Sequence, residues 1–306
     1  GEINSASAKT IMQVAPRDQR LFLQAGARSH VLRSAHCNPH TFHVDIPVTV
    51  MVNAAGEALK RDGLVKGKRY FSLTADYLFG HDLSKGVKRF MAENGGTPIG
   101  DELVATDVTD FSPYLLKIRQ AKPDIVASNL AGNQVTNFVK QYAEYGLKYP
   151  IAGFNLNTAD AWAAGDGNLA GIWPTVWHHE LNTPGSRKFV AEFRKRYGKP
   201  PENHAWIEYV SLKIMAEAMN ATKSTDTEKL IAYFERGTEF DLLKARPGYF
   251  RSWDHQLMQE AYPFTVKPKG KAKDKWDFLQ FGAAVPAASQ PLDLLAPTRE
   301  QNTCKM

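Results

Sequence analysis

The densest group of metal-ligating side chains is His36-Cys37-Asn38-Pro39-His40-Thr41-Phe42-His43, one thiol and three imidazoles in eight residues. That set suits zinc by residue type. Its geometry is unfavourable, because Pro39 makes the segment extended or turning and neighbouring side chains then diverge. The second cysteine, Cys304, lies two residues from the end in a polar tail. Two thiols permit one disulfide, which would tie the tail to the region around residue 37 and imply an oxidising compartment. Zinc ligation of Cys37 and two free thiols are the alternatives.

Acid–base chemistry is thinly represented. His178-His179-Glu180 offers imidazoles and a carboxylate, but neighbours on a strand face opposite sides, so at most one histidine can share a cleft with a given partner. A surface or hinge role is expected. Gly165-Asp166-Gly167-Asn168 has the oxygen donors of a calcium loop without the glutamate at the twelfth position, so it reads as a plain loop. The sequence contains no G-x-S-x-G, no G-x-x-x-x-G-K-[ST], no G-x-G-x-x-G after a strand and no H-E-x-x-H. Residues 63–68 (GLVKGK) fall one residue short of a phosphate loop and precede a strand; they read as a turn into the sheet. No enzyme, metal or cofactor is expected.

Thirty-eight Lys and Arg against thirty-two Asp and Glu leave a net +6, a modest excess for 306 residues. The densest basic run, 267–275 (KPKGKAKDK), is broken by Pro and Gly and has no aromatic, so a solvated loop is expected and nucleic acid is not a partner. No stretch reaches the ~18–20 apolar residues of a membrane helix, and no charged-then-apolar leader opens the chain, which reads as a soluble or mature secreted protein. With 43% hydrophobic and 23% charged residues the composition excludes disorder and fibrous repeats. A single core stops growing at roughly 250–300 residues, so two compact units are expected.

Hydrophobic periodicity supplies the elements. Residues 69–74 read as a buried strand, and 82–94 as a helix with Leu83, Val87, Phe90 and Met91 at helical spacing. Then come strand 99–105, helix 113–121, strand 124–128, helix 134–145 and strand 150–153. This βαβαβαβ order predicts an α/β fold with a parallel sheet covered on both faces. Pro113 in a first turn and Gly146 past a last turn support two of the boundaries. The chain opens with helix 6–14, strand 20–24, an extended connection 26–42 and helix 50–62. After strand 172–178 come helices 186–197, 205–221 and 226–236, a hairpin of strands over 249–267, and a Pro- and Ala-rich tail from 283.

Thr109-Asp110-Phe111-Ser112-Pro113-Tyr114-Leu115-Leu116-Lys117-Ile118, running into Ala121-Lys122-Pro123-Asp124-Ile125-Val126, resembles the periplasmic solute-binding proteins of ABC importers, of the leucine/isoleucine/valine-binding type. Thr74-Ala75-Asp76-Tyr77-Leu78-Phe79-Gly80, Gln141-Tyr142-Ala143-Glu144-Tyr145-Gly146-Leu147 and Cys37-Asn38-Pro39-His40-Thr41-Phe42 fit the same family, in consistent order to about residue 265. The resemblance implies a two-lobed type I fold, each lobe a doubly wound parallel sheet, closing on a small molecule. It implies lobe one at 1–45 plus 178–243, lobe two at 46–177 plus 244–280, and a tail at 281–306. It also implies a Cys37–Cys304 disulfide, as in the aromatic-acid and amide branch. Family members usually begin with about two further βα units of roughly 30 residues each, so the chain reads as N-terminally truncated.

The implied role is a periplasmic, monomeric receptor that delivers its ligand to an ABC permease in the inner membrane. A bilobed ligand sensor is the alternative from another class. Carried over by position, the ligand residues are Ser5 at the first helix start, Gly26, Arg28, Tyr77, Phe79 as a stacking aromatic, Leu130, Asn133 and Asn155. Amino-acid binders of this type resemble one another in placing an acid at the position of Asn155 and a second near that of Pro47. Both are missing here, and a desolvated ammonium without a carboxylate is costly. The expected ligand is therefore a carboxylate without an amine, aromatic in first choice and paired with Arg28 if that side chain faces the site. An amide, a urea or a branched-chain amino acid follows.

Overall fold

The computed structural model describes residues 1–268 and 270–306, and they fall into two compact units. Unit one comprises Gly1–Pro47, Val176–Glu260 and Pro286–Met306; unit two comprises Val48–Thr175 and Ala261–Val285. Unit one opens with α1 (Ser5–Arg17), β1 (Phe22–Gln24), a 3-10 turn (His30–Arg33) and β2 (Thr41–His43). Unit two follows with α2 (Val48–Arg61), β3 (Arg69–Ala75), α3 (Leu78–Glu93), β4 (Thr97–Val104), α4 (Ser112–Ala121) and β5 (Ile125–Asn129). It continues through α5 (Asn133–Glu144), β6 (Ile151–Gly153), α6 (Thr158–Ala164) and β7 (Trp173–Thr175). The chain returns to unit one for α7 (Pro184–Tyr197), α8 (Asn203–Thr222), α9 (Thr227–Glu235), β8 (Glu239–Phe240), β9 (Gly248–Phe250) and β10 (Leu257–Met258). Strands β11 (Tyr262–Val266) and β12 (Leu279–Phe281) complete unit two.

Unit two is the alternating region of the sequence. Its main sheet is parallel in the order β4-β3-β5-β6. Central β3 buries six of its seven residues, whereas edge strand β4 is largely exposed, as expected for a strand with one neighbour. Leu83, Val87, Phe90 and Met91 of α3 pack with Val52, Ala55 and Leu59 of α2 in one core cluster. Leu115, Ile118, Phe138 and Val139 of α4 and α5 form another with Leu73 and Val126 of the sheet. Alternate strand residues feed the two clusters, so helices cover both faces.

In unit one β1 and β2 pair in parallel and β8, β9 and β10 form an antiparallel sheet. This moves a boundary. Residues 244–260 belong to unit one, not to the second lobe, because β9 pairs on both sides within it and Phe250 lies among Phe42, Phe234 and Phe240. The expected hairpin over 249–267 is accordingly split: β9 and β10 pair in unit one, while β11 pairs with β7 and β12 in unit two. The strand expected at 172–178 shortens to Trp173–Thr175, and α6 and β12 were not foreseen.

Cys37 and Cys304 form a disulfide with their Cα atoms 5.7 Å apart. That commits the only thiol of the zinc alternative. The final segment is therefore no loose tail: residues 286–306 return to unit one. The basic run 267–275 includes residue 269, which lies outside the described residues; beside it, Lys267 pairs with Asp277 at 2.7 Å. Among the described residues no helix is long and apolar enough to cross a membrane.

Candidate functional site

The strand order of unit two places a topological switch at β3. The chain leaves β3 through α3 to β4 on one side, and later enters β5 on the other, so the loops after β3 and β5 part to opposite faces and leave a crevice at the carboxyl ends. The loop after β3 carries Asp76 and Tyr77 into α3, where Phe79 lies in the first turn. The loop after β5 carries Leu130, Ala131 and Gly132 into Asn133, the first residue of α5. Asn155 follows β6, and its Nδ2 donates to the Leu130 carbonyl at 3.1 Å, tying the two loops together. Five of the residues expected at the site thus share one end of one sheet.

Their surroundings differ. Phe79 and Leu130 are buried in core clusters, and the Phe79 ring lies 5.9 Å from that of half-buried Tyr77. Asn133 is exposed. Helices α3 and α5 both begin without a side-chain cap and without an acid in the first turn. By contrast, Asn4 caps α1, Thr183 caps α7, Glu202 caps α8 and Asp226 caps α9. The two helix starts at the switch point keep the positive end of their dipoles, which favours an anion. The acid beside them, Asp76, is 2.8 Å from the His81 ring.

In unit one the corresponding loops follow β1 and β2. Gly26 sits where a Cβ would come within 3.0–3.2 Å of Ile3 and the Glu2 carbonyl, so a larger residue there would have to displace the chain's first residues. The Ser5 hydroxyl, buried at the start of α1, accepts from the Ser29 N–H at 3.3 Å. Arg28 is neither a surface side chain nor without a carboxylate of its own: it is buried, and its Nε donates to Asp45 Oδ2 at 2.6 Å. The other Asp45 oxygen accepts from the Ile46 N–H. An acid does lie near Pro47: Asp45, two residues earlier, already paired with Arg28.

Two further titratable groups, His204 and Lys244, lie near this pair and a third, His178, lies near Lys244; none is expected as a site residue. His204 is held down to about 4 by burial, with the Arg28 charge adding to the effect and Asp45 opposing it. Lys244 is buried with its Nζ 2.8 Å from Gln259 Oε1, 2.7 Å from the Glu260 carbonyl and 4.7 Å above the Trp206 ring. Burial pushes it down to about 7 against the pull of Glu260 and Asp45. His178 is buried, which overturns the surface half of the expected surface or hinge role, and burial, with His179 and Lys244 nearby, lowers it to about 3. Asp45 had a sequence signal, a lone acid among Val44, Ile46, Pro47 and Val48; Lys244 and His204 had none, because their burial comes from distant segments.

Four likenesses bear on this arrangement. The model of a periplasmic binding protein family matches residues 1–272. A Leu/Ile/Val-binding protein homolog of Brucella melitensis is 25% identical over 270 residues, 86% of this chain; the matched region spans about 63% of that relative's length. Among solved structures, a periplasmic binding protein from Burkholderia mallei superposes with a TM-score of 0.89 at 26% identity, over 99% of this chain and 79% of that one. A solute-binding protein of an ABC transporter from R. palustris, in complex with benzoate, shares the fold at a TM-score of 0.83 and 20% identity, over 100% of this chain and 80% of that one.

Proposed function

The chain belongs to the periplasmic binding protein family, and from that premise we propose that it is the extracytoplasmic receptor of an ABC importer for a small carboxylate without an amino group, aromatic in first choice. The family is one of solute receptors and not of enzymes. The observation that carries the ligand class is the state of the acids at the strand ends. Asp45 is paired with Arg28, Asp76 with His81, and an amide stands at 155. An α-ammonium would have to displace Arg28 from Asp45 to reach that carboxylate, and separating the members of a buried ion pair costs several kcal/mol.

The uncapped starts of α3 and α5 and the Tyr77 ring support the complementary half of the reading, a carboxylate head and an aromatic body. One protein of the same fold is described in complex with benzoate, which supports an aromatic acid as the ligand class. The rival is a branched-chain amino acid, favoured by the name of the Brucella relative and by Asp45 as a ready acid. Thermal-shift titration of the chain with benzoate, isobutyrate, benzamide and leucine separates the readings. Benzoate at 100 times its Kd should raise the melting temperature by about 5 °C or more, with leucine silent. A shift with leucine alone overturns the proposal.

A further inference from the structure

The segment 286–306 is fastened to unit one by guanidinium groups and a covalent bond. Arg246 donates to the carbonyls of Pro286 and Gln290, both at 2.7 Å, and Arg251 to that of Pro297 at 2.8 Å. The disulfide to Cys37 closes the end. Between the last guanidinium and the disulfide, Asn302 Nδ2 donates to the main-chain carbonyl of Arg33 at 3.2 Å, and Asn302 Oδ1 accepts from the Cys304 N–H at 2.9 Å.

Arg33 is itself buried, and its side chain bonds the main chain at Ser29 and Asp45, beside the Arg28–Asp45 pair. Nη1 donates to the Ser29 carbonyl at 2.9 Å, Nη2 to the Asp45 carbonyl at 3.2 Å, and Nε to Gln256 Oε1. The Gln256 amide in turn donates to the same Asp45 carbonyl at 2.9 Å. Ser29 adjoins Arg28, so one guanidinium grips the main chain on both sides of the ion pair. The bonds of Arg33 and Gln256 here all join buried groups, where a lost partner is expensive and geometry is held closely.

We infer that Arg33 is a positioning residue for the Arg28–Asp45 pair, and that the C-terminal strap, through Asn302 and the disulfide, is the latch that holds Arg33 in place. Loosening the strap then loosens the pair before it unfolds the unit. That this also weakens solute binding rests on the function proposed above; the latch itself does not.

The test uses the full chain and two readouts. The first is exchange of the Arg28 Nε–H with solvent by NMR, assigned by its loss in Arg28→Lys, in the parent chain, Asn302→Ala and Cys304→Ser. The Trp206 Nε1–H, which donates to the Leu242 carbonyl in the same unit, reports general loosening. Exchange at Arg28 should accelerate by about tenfold in both variants while Trp206 changes little, as local opening requires. Unchanged exchange at Arg28 in Asn302→Ala, or equal acceleration at both sites, overturns the latch. Should Cys304→Ser not fold, Asn302→Ala carries the test alone. The second readout is benzoate affinity: a weakening in Asn302→Ala that parallels the exchange supports transmission to the solute. If the parent chain binds neither benzoate nor isobutyrate, the functional reading fails while the exchange result still decides the latch.

Discussion

The side-chain amide of Gln256 donates to the main-chain carbonyl of Asp45 at 2.9 Å although 211 residues separate them. The contact closes an arrangement in which the end of β2, the 3-10 turn and the loop before β10 meet on one buried acid. Asp45 is held by its own side chain to Arg28 and by its carbonyl to Arg33 and Gln256.

Removing only the charge of this acid should be costly. Asp45→Asn removes the carboxylate charge that buried Arg28 pairs with, and the expected loss is about 3–5 kcal/mol in urea denaturation. The joint replacement Arg28→Met with Asp45→Leu should cost much less, because no charge is then left unpaired. A loss below about 1 kcal/mol in the single variant would mean that the pair is solvated in solution.

His204 gives the chain an acid limit. Its folded value is lowered to about 4, so from pH ~6.5 downward the unfolded chain takes up a proton that the folded chain refuses. Stability should therefore fall as pH drops from ~6.5 to ~4, by about 2–3 kcal/mol from this residue, and the contribution should be constant below that. Denaturation series at pH 7.5, 5.5 and 4.5 should show the fall, and His204→Gln should remove most of that share.

Two glycines of α3 separate backbone crowding from helix propensity. A Cβ at Gly80 would lie 1.9 Å from the Ala75 carbonyl oxygen, whereas one at Gly86 would meet only Val52 at 3.6 Å. Gly80→Ala must push the helix start away from the end of β3, at a cost of about 2 kcal/mol or more, and should impair solute binding with it. Gly86→Ala should stabilise the chain by about 0.5–1 kcal/mol and leave binding intact. Equal melting temperatures for the two variants would contradict the geometry at the α3 start.

Asn155→Asp introduces the acid that the family resemblance implies at this position in amino-acid binders. Benzoate binding should weaken by about tenfold or more through like-charge repulsion, while leucine binding should appear or strengthen. Calorimetric titration of both ligands decides the matter, and unchanged benzoate affinity would place Asn155 away from the carboxylate.

Much of unit two was legible along the chain because its signals are local. The spacing of Leu83, Val87, Phe90 and Met91 is set by one helix, and Pro113 marks the start of another. Alternation of such segments implies a parallel sheet, and a parallel sheet implies which ends carry the loops of Tyr77, Asn133 and Asn155. For the same reason the family likeness was visible in the loops and helix entries that the periodicity delimits.

Unit one was harder to read because its defining contacts join segments that share no periodicity. By itself the sequence determined the helices, the parallel strands and the residue types at the strand ends. Only the tertiary structure decided that Arg28 answers to Asp45, that Lys244 is buried and His204 half-buried, and that residues 244–260 and 286–306 belong to unit one. Helix and strand preferences act over a few residues, whereas burying a charge or choosing its partner depends on what distant segments exclude water from it.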